Sequence, residues 1–229
     1  ELVLLNGNQT ALMFVYYLIT RWKELGKING KEYIVKTIVT TETIKTIAER
    51  NGVEMYDVYT GFKWIANVMR ENEGKKNYIG GGEESYGFLC EDFVRDKDAV
   101  SACVILAEIA AWAKDQGLSL YQLLQKIYVE YGFSKEKGIS VVKKGKSGAE
   151  EIEAMMKKFR ENPLTEIAGS KVTYFYDYST LKGKDYAENE TVTLDMPTTS
   201  NVLQYFTEDN TKVSIRPSGT EPKIKFYCE

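Results

Sequence analysis

The chain contains no histidine among its 229 residues, so the usual general base at neutral pH and the commonest metal ligand are both missing. Any catalysis confined to this chain would therefore rely on carboxylates, lysines or tyrosines. The three cysteines, Cys90, Cys103 and Cys228, lie far apart and form no Cys-x-x-Cys pair. This spacing excludes a disulfide framework and a zinc ribbon, and we expect a reducing, cytoplasmic location.

Long apolar runs and an excess of basic residues are absent as well. The apolar stretch Ala11–Ile19 is much shorter than the roughly 18 residues that a membrane-spanning segment needs. The net charge of −3 argues against a nucleic-acid partner, because neutralising the phosphates of a duplex requires a basic face. We therefore expect neither a membrane nor a nucleic acid as a partner. Apolar residues make up 43% of the chain, which is enough for a sizeable core.

Strand and helix patterns alternate along the first part of the chain. Strand-like runs are found at residues 2–5, 33–39, 53–59 and 77–79, and helices are predicted between them and over 99–114 and 118–131. This alternation predicts a three-layer α/β/α domain with a largely parallel sheet over residues 1–133. A stretch rich in lysine, glycine and serine at 134–148 is predicted to be a hinge that carries one short strand. The helix and strands that follow predict a smaller α+β domain over residues 134–229.

A glycine-rich acidic loop follows the predicted strand at 77–79 and reads Gly-Gly-Gly-Glu-Glu-Ser-Tyr-Gly. A loop after a parallel strand lies at the carboxyl edge of the sheet, where open α/β sheets bind ligands. A carboxylate accepts hydrogen bonds from sugar hydroxyls, and a serine both donates and accepts them. Glu83 and Ser85, two apart in an extended segment, are expected to point in the same direction. On these residues alone, an ordinary acidic turn is an equal alternative.

A second loop, Arg216-Pro217-Ser218-Gly219-Thr220-Glu221-Pro222-Lys223, lies between two predicted strands. Its guanidinium, its two hydroxyls and the N–H groups beside its glycine suit a phosphate. A hairpin turn capped by serine and threonine is the alternative, but such a turn does not require the arginine. In a third segment, Thr60–Lys63, a lysine at a helix N-terminus opposes the helix dipole. That lysine indicates either a nearby anion or a side chain that extends into water.

Together these segments resemble the α-D-phosphohexomutase superfamily, which includes phosphoglucomutases and phosphomannomutases. The loop around Gly82–Ser85 resembles the sugar-binding loop of the family's third domain, and Arg216–Lys223 resembles the phosphate-binding loop of its fourth domain. Leu5–Thr10 resembles the start of the third domain, and Thr60–Lys63 resembles a junction whose lysine meets the substrate. The matches occur in family order and span nearly the whole chain, so residues 1–133 and 134–229 correspond to domains three and four.

The resemblance implies a four-domain isomerase that interconverts hexose 1-phosphate and hexose 6-phosphate through a phosphoserine and a bisphosphorylated intermediate. It implies that Glu83, Ser85 and Lys63 bind the sugar. It also implies a group of residues that holds the phosphate which is not reacting: Arg216, Ser218, Gly219, Thr220 and Lys225.

The family's phosphoserine motif and its Asp-Gly-Asp-x-Asp-Arg magnesium loop have no counterpart in this sequence. We therefore expect no catalytic residue and no metal ligand here, with the serine and Mg²⁺ belonging to N-terminal domains of the same polypeptide. The chain begins without methionine, and we expect a piece of a longer protein whose small-molecule partner is a hexose phosphate. A stand-alone sugar-phosphate-binding module and part of a phosphopentomutase are the alternatives, and the sequence does not distinguish glucose from mannose.

Overall fold

The computed structural model describes residues 3–229, and the chain divides into two compact units, residues 1–134 and 135–229. The first unit contains α1 (Gly7–Glu24), β1 (Glu32–Thr37), α2 (Thr43–Arg50), β2 (Glu54–Val58), α3 (Phe62–Asn72), β3 (Asn77–Gly82), β4 (Phe88–Cys90), α4 (Ala99–Asp115) and α5 (Leu120–Tyr131). Its sheet has the order β2-β1-β3-β4, with β2, β1 and β3 parallel and β4 antiparallel to β3.

The two faces of this sheet are covered by helices, which gives the α/β/α layering that the sequence predicts. Alternate residues of β1 point to opposite faces, so that Ile34 packs beneath α1 while Tyr33 and Val35 pack beneath α3. Helix α1 is apolar on most of its faces because it lies between the sheet and helices α4 and α5. The largely parallel sheet and its helical layers therefore agree with the alternation of apolar periods in the sequence.

Two local expectations for the first unit are wrong. Val3–Leu5 form no strand, and Leu2, the first residue of that prediction, lies outside the described residues. Strand β3 continues through all three glycines to Gly82 and pairs with the unpredicted β4. Glycine is a poor strand former, so the sequence pattern ended this strand too early.

The second unit is an antiparallel sheet covered on one face by a helix. It contains β5 (Lys137–Val142), α6 (Gly145–Glu161), β6 (Glu166–Ile167), β7 (Ser170–Asp177), β8 (Lys182–Asp185), β9 (Glu190–Thr193), β10 (Leu203–Thr207), β11 (Lys212–Pro217) and β12 (Lys223–Cys228). The strand order is β5-β12-β11-β10-β7-β8-β9, and β6 pairs with β7. Ile152 and Met156 on α6 pack against Ile215 and Ile224 of the sheet. The predicted architecture, an α/β domain followed by a smaller α+β domain, is confirmed.

The segment 134–148 is more ordered than the hinge that its composition predicts. Strand β5 pairs with β12 throughout its length, and α6 begins at Gly145. Within this region only residues 134–136 and 143–144 lie outside helices and strands. The hydrogen bonds of β5 to β12 are long-range in sequence, which is why composition alone did not reveal them. Across residues 3–229, no helix has both the length and the apolar character needed to cross a bilayer.

Candidate functional site

The acidic loop, residues 83–87, closes the hairpin between β3 and β4 at the carboxyl edge of the parallel strands. The Glu83 N–H donates to the Gly87 carbonyl at 2.8 Å, so residues 84–86 form a three-residue turn. Tyr86 has a φ of 70°, the left-handed conformation that completes such turns. The expectation that Glu83 and Ser85 point the same way from an extended segment is therefore wrong. The Glu83 side chain is buried, whereas Ser85 lies exposed in the turn.

The acidic loop packs directly on the first residue of α1. A Cβ at Gly7 would lie 1.9 Å from the Glu84 carbonyl oxygen and 2.8 Å from the Tyr86 nitrogen, so no larger residue fits there. The Tyr86 hydroxyl donates to the Leu5 carbonyl at 2.9 Å. Asn6 caps α1, accepting from the Gln9 N–H while the Gln9 side chain accepts from the Asn6 N–H. The segment 5–10 therefore packs against the acidic loop and helps to fix its position.

Glu83 connects the acidic loop to the beginning of α3. Its Oε1 accepts a hydrogen bond from the Gly61 N–H at 2.7 Å. Gly61 has a φ of 111°, which favours glycine, and it immediately precedes the helix. Lys63, the second residue of α3, is exposed, with its Nζ 5.0 Å from the centroid of the Trp64 ring. The structure therefore brings the predicted Glu83 and the segment 60–63 together at one edge of the sheet.

Lys97 belongs to the same neighbourhood and was not singled out from the sequence. A Cβ at Gly87 would lie 3.1 Å from the Lys97 Cδ and 3.2 Å from the Glu83 Oε2. The Lys97 Nζ is 5.6 Å from the centroid of the Phe62 ring. The lysine side chain thus runs across Gly87, beside the free side of the Glu83 carboxylate. In the sequence it stands in a run of alternating charges, Arg95 to Asp98, which resembles an ordinary solvated loop.

A buried lysine, Lys36, lies at the end of β1 beside these segments. In the strand register it faces Asp57 on one side and Gly82 on the other. Its Nζ donates to Asp57 at 2.7 Å and to Glu42 at 3.0 Å, while its own side chain is only 1% exposed. Burial alone would lower the pKa of Lys36, but the two carboxylates outweigh burial and raise it above its usual value. The sequence signal for this cluster is a lysine within an otherwise apolar buried strand.

In the second unit, the predicted phosphate-binding residues lie in the hairpin formed by β11, β12 and the loop between them. Arg216 and Lys225 are direct partners across the two strands, so both side chains stand on the same face of the sheet. The Arg216 Nη1 donates to the Tyr227 hydroxyl at 3.4 Å, and the Lys225 Nζ lies 6.0 Å from the centroid of that ring. Within the described part of the chain, neither cation forms an ion pair. Two adjacent cations that form no ion pair create positive potential at the end of the hairpin, and the charge of Lys225 contributes, after Lys223, to the lowered pKa of Glu221 in the adjoining loop.

The β11–β12 loop, residues 218–222, presents polar groups next to these cations. The Ser218 N–H donates to the Lys223 carbonyl at 2.7 Å, and the Ser218 hydroxyl accepts weakly from the N–H groups of Thr220 and Glu221 at 3.4 and 3.3 Å. Gly219 is exposed, and its N–H has no partner among residues 3–229. A hydrogen bond from Lys223, at 2.8 Å, lowers the pKa of Glu221. The loop therefore offers a hydroxyl and an open N–H beside two cations.

A groove of about 660 Å³ lies between this loop and α6, and Ser218, Gly219 and Thr220 are part of its lining. Its floor is apolar, with Ile152 and Met156 of α6, and Glu153 and Glu221 supply carboxylates along its lining. Ile215 and Ile224 face α6. Arg216 and Lys225 are the next residues along the same two strands, so they project from the opposite face of the sheet. The loop residues Ser218, Gly219 and Thr220 therefore line a groove that also contains carboxylates, whereas Arg216 and Lys225 stand on the other face of the sheet. Across residues 3–229, no three His, Cys, Asp or Glu side chains are grouped to hold a metal ion.

Comparison with known proteins relates both units to one family. A model described as phosphoglucomutase/phosphomannomutase, alpha/beta/alpha domain III, matches residues 6–131. Phosphoglucomutases from Staphylococcus aureus (strain bovine RF122 / ET3-1) and Staphylococcus haemolyticus (strain JCSC1435) are 38% and 34% identical over 222 residues, 97% of this chain. Each match covers 39% of the relative, so this chain spans well under half of their length.

The fold is shared with a solved structure as well. The crystal structure of the exocytosis-sensitive phosphoprotein pp63/parafusin, a phosphoglucomutase from Paramecium in its open form, aligns with a TM-score of 0.63 and 17% sequence identity. The alignment covers 98% of this chain and 36% of the Paramecium protein. At this identity the similarity shows a common fold across both units.

Proposed function

Because this chain belongs to the phosphoglucomutase/phosphomannomutase family, we propose that it is the sugar- and phosphate-binding C-terminal part of a phosphohexomutase. The resemblance to this family that four sequence motifs predict is confirmed by the comparisons. The full-length relatives are phosphoglucomutases, which are isomerases of carbohydrate metabolism. On this proposal the parent enzyme interconverts hexose 1-phosphate and hexose 6-phosphate.

The observation that carries the proposal is the unpaired cationic face of the β11–β12 hairpin. Arg216 and Lys225 stand side by side without an ion-pair partner in the described chain, an arrangement that a bound dianion would stabilise. Arginine can bind two oxygens of a phosphate at once, and such charge-assisted hydrogen bonds are stronger than neutral ones. The Gly219 N–H and the hydroxyls of Ser218 and Thr220 lie in the adjoining loop and would complete the phosphate site.

The sugar would be held at the carboxyl edge of the first unit. The Glu83 Oε1 is oriented by the Gly61 N–H, which leaves Oε2 as the acceptor for sugar hydroxyls. Ser85, exposed in the turn, would add a donor and an acceptor. Lys63 and Lys97 would supply positive charge near the phosphate end of the substrate. These residues bind and orient, and none of them is assigned a covalent step.

In the parent enzyme we place the phosphoserine and the magnesium site in N-terminal domains. The phosphoserine would transfer its phosphoryl group to the sugar phosphate, and the resulting bisphosphate would turn around and return its other phosphate to the serine. Phosphoryl transfer of this kind depends on positioning and charge stabilisation. The residues of this chain would hold the sugar and the non-reacting phosphate in both orientations. A cytoplasmic location remains part of the proposal.

Binding of glucose 1-phosphate to the present chain, measured by NMR titration, tests the phosphate site. Arg216→Ala should weaken binding by roughly 1.5–3 kcal/mol, because it removes a charge-assisted clamp. Lys157→Ala, on the exposed surface of α6 in the same unit, is the matched control and should leave the affinity unchanged. Equal affinities of the wild type and Arg216→Ala for glucose 1-phosphate would show that Arg216 of the hairpin does not bind the phosphate.

Activity assays separate the proposal from its alternatives. The present chain alone should not turn over glucose 1-phosphate, whereas the parent should, and turnover by the isolated chain would contradict the assignment of the donor serine to other domains. A coding sequence with no magnesium-loop motif upstream of this chain would favour a stand-alone binding module. Relative turnover of glucose, mannose and pentose 1-phosphates by the parent identifies its substrate.

A further inference from the structure

Helix α4 is apolar on nearly every side, although one of its sides faces solvent. Between Ala99 and Ala113 it carries a single charged residue, Glu108. Its inner side packs into the core through Ile109 and Ala113. A helix that is apolar all round is normally buried all round, because an outward face in water favours polar residues. The outward side of α4 therefore has the composition of a covered surface.

The outward side forms a continuous apolar stripe, which we call the α4 stripe: Val100, Val104, Ala107 and Ala111. The intervals of four, three and four residues place these side chains on one face of the helix. Val100 is 73% exposed and Val104 is 61% exposed, and both alanines are exposed as well. Two valines followed by two small alanines at this spacing suit close packing against a second helix.

The start of α4 and the segment before α1 both contact the β3–β4 hairpin. The Asp98 N–H, at the helix N-cap, approaches the Phe88 carbonyl at 3.4 Å. Phe88 pairs with Gly82 at the base of the acidic loop, and the Tyr86 hydroxyl of that loop donates to the Leu5 carbonyl. Leu5, near the start of the described chain, and the first turn of α4 are therefore both in contact with the β3–β4 hairpin.

We infer that the α4 stripe is the surface on which the preceding part of the parent enzyme docks. This inference rests on the proposed function, in which other domains precede this chain. The relatives provide the required length, since this chain covers 39% of them. Docking there would bury apolar side chains, because no charged residue belongs to the stripe, and Glu108 on its flank already accepts a hydrogen bond from the Tyr17 hydroxyl at 2.6 Å. A second copy of this chain is the competing occupant.

Cys103 provides a built-in probe because it is exposed on the flank of the stripe. We would label the present chain and the full-length parent with iodoacetamide and follow the Cys103 peptide by mass spectrometry. The thiol should react at least about tenfold more slowly in the parent, since a covered site reacts only when its cover opens. The control is Val129→Cys on α5, where Val129 is 90% exposed, and it should react equally in both proteins. Equal rates at Cys103 would overturn the inference.

The concentration dependence of labelling distinguishes the two occupants. Slower labelling of Cys103 in the present chain at higher protein concentration would assign the stripe to a second copy and refute docking of the preceding domain. In the parent, Val104→Asp should increase the labelling rate of Cys103, whereas Val129→Asp should not. The two proposals fail in different ways. If only the proposed function is wrong, Cys103 is still protected in the parent, but the parent has no mutase activity.

Discussion

Lys36 places a positive charge inside the first unit, where it holds together strand β2 and the beginning of α2. Lys36→Met removes the buried cation that pairs with Asp57 and Glu42. Removing one member of a buried ion pair costs roughly 3–5 kcal/mol, and we expect the lower end because both carboxylates remain partly hydrated. Urea unfolding followed by tryptophan fluorescence measures this loss.

The matched control is Lys45→Met, since Lys45 pairs with Glu49 on the exposed surface of α2. That change should alter the free energy of unfolding by no more than about 0.5 kcal/mol. Equal effects of the two substitutions would mean that the buried ion pairs of Lys36 contribute no more to stability than the exposed pair of Lys45.

Gly7 is the residue on which the acidic loop depends most closely. In Gly7→Ala the new methyl group would collide with the Glu84 carbonyl, which is backbone and cannot rotate away. We expect a destabilisation of roughly 1–3 kcal/mol and faster amide exchange across residues 83–87. Gly138→Ala, where a Cβ meets nothing within 4 Å, should leave both quantities unchanged. Unaltered exchange in Gly7→Ala would show that the loop does not rest on α1.

Among the elements, helix α1 begins with a complete capping box, whereas the N-cap residue of α6, Lys144, makes no side-chain capping bond. Asn6→Ala should therefore cost about 1 kcal/mol, because the Gln9 N–H loses its acceptor, the Asn6 Oδ1, while the backbone N–H of residue 6 can still donate to the Gln9 side chain. Lys144→Ala should cost almost nothing. Thermal unfolding followed by circular dichroism compares the two variants. A loss in Lys144→Ala as large as that in Asn6→Ala would contradict the importance of the cap.

For the whole molecule, the chain offers separate optical probes of its two units. Trp22, Trp64 and Trp112 all belong to the first unit, and the second unit contains no tryptophan. Leu203, fully buried in the core of the second unit, is the residue to change. Leu203→Ala should lower the stability of that unit by roughly 2–5 kcal/mol. Circular dichroism should then report earlier unfolding, while the tryptophan fluorescence transition stays in place. Coincident shifts of both signals would mean that the two units unfold as one.

Residue order alone was sufficient for the fold class and for the segments that carry the family resemblance. Alternating apolar periods predict layers, because side-chain direction in helices and strands is a local property of the backbone. The segment Arg216–Lys223 is recognisable for the same reason, since its arginine, glycine and hydroxyls are close in sequence. Glu83 likewise belongs to a contiguous glycine-rich loop. These features lie within a few residues of one another.

The remaining features depend on contacts between residues that are distant in sequence. The turn that separates Ser85 from Glu83 exists because β4 pairs back onto β3. Gly61 meets Glu83, and Lys97 lies beside it, only after the strands align at one edge of the sheet. The sequence does not reveal the ion pairs of Lys36, because Asp57 and Glu42 meet this lysine only in the folded chain. Local periodicity carries no information on which strand pairs with which, so packing alone places these charges at the candidate site.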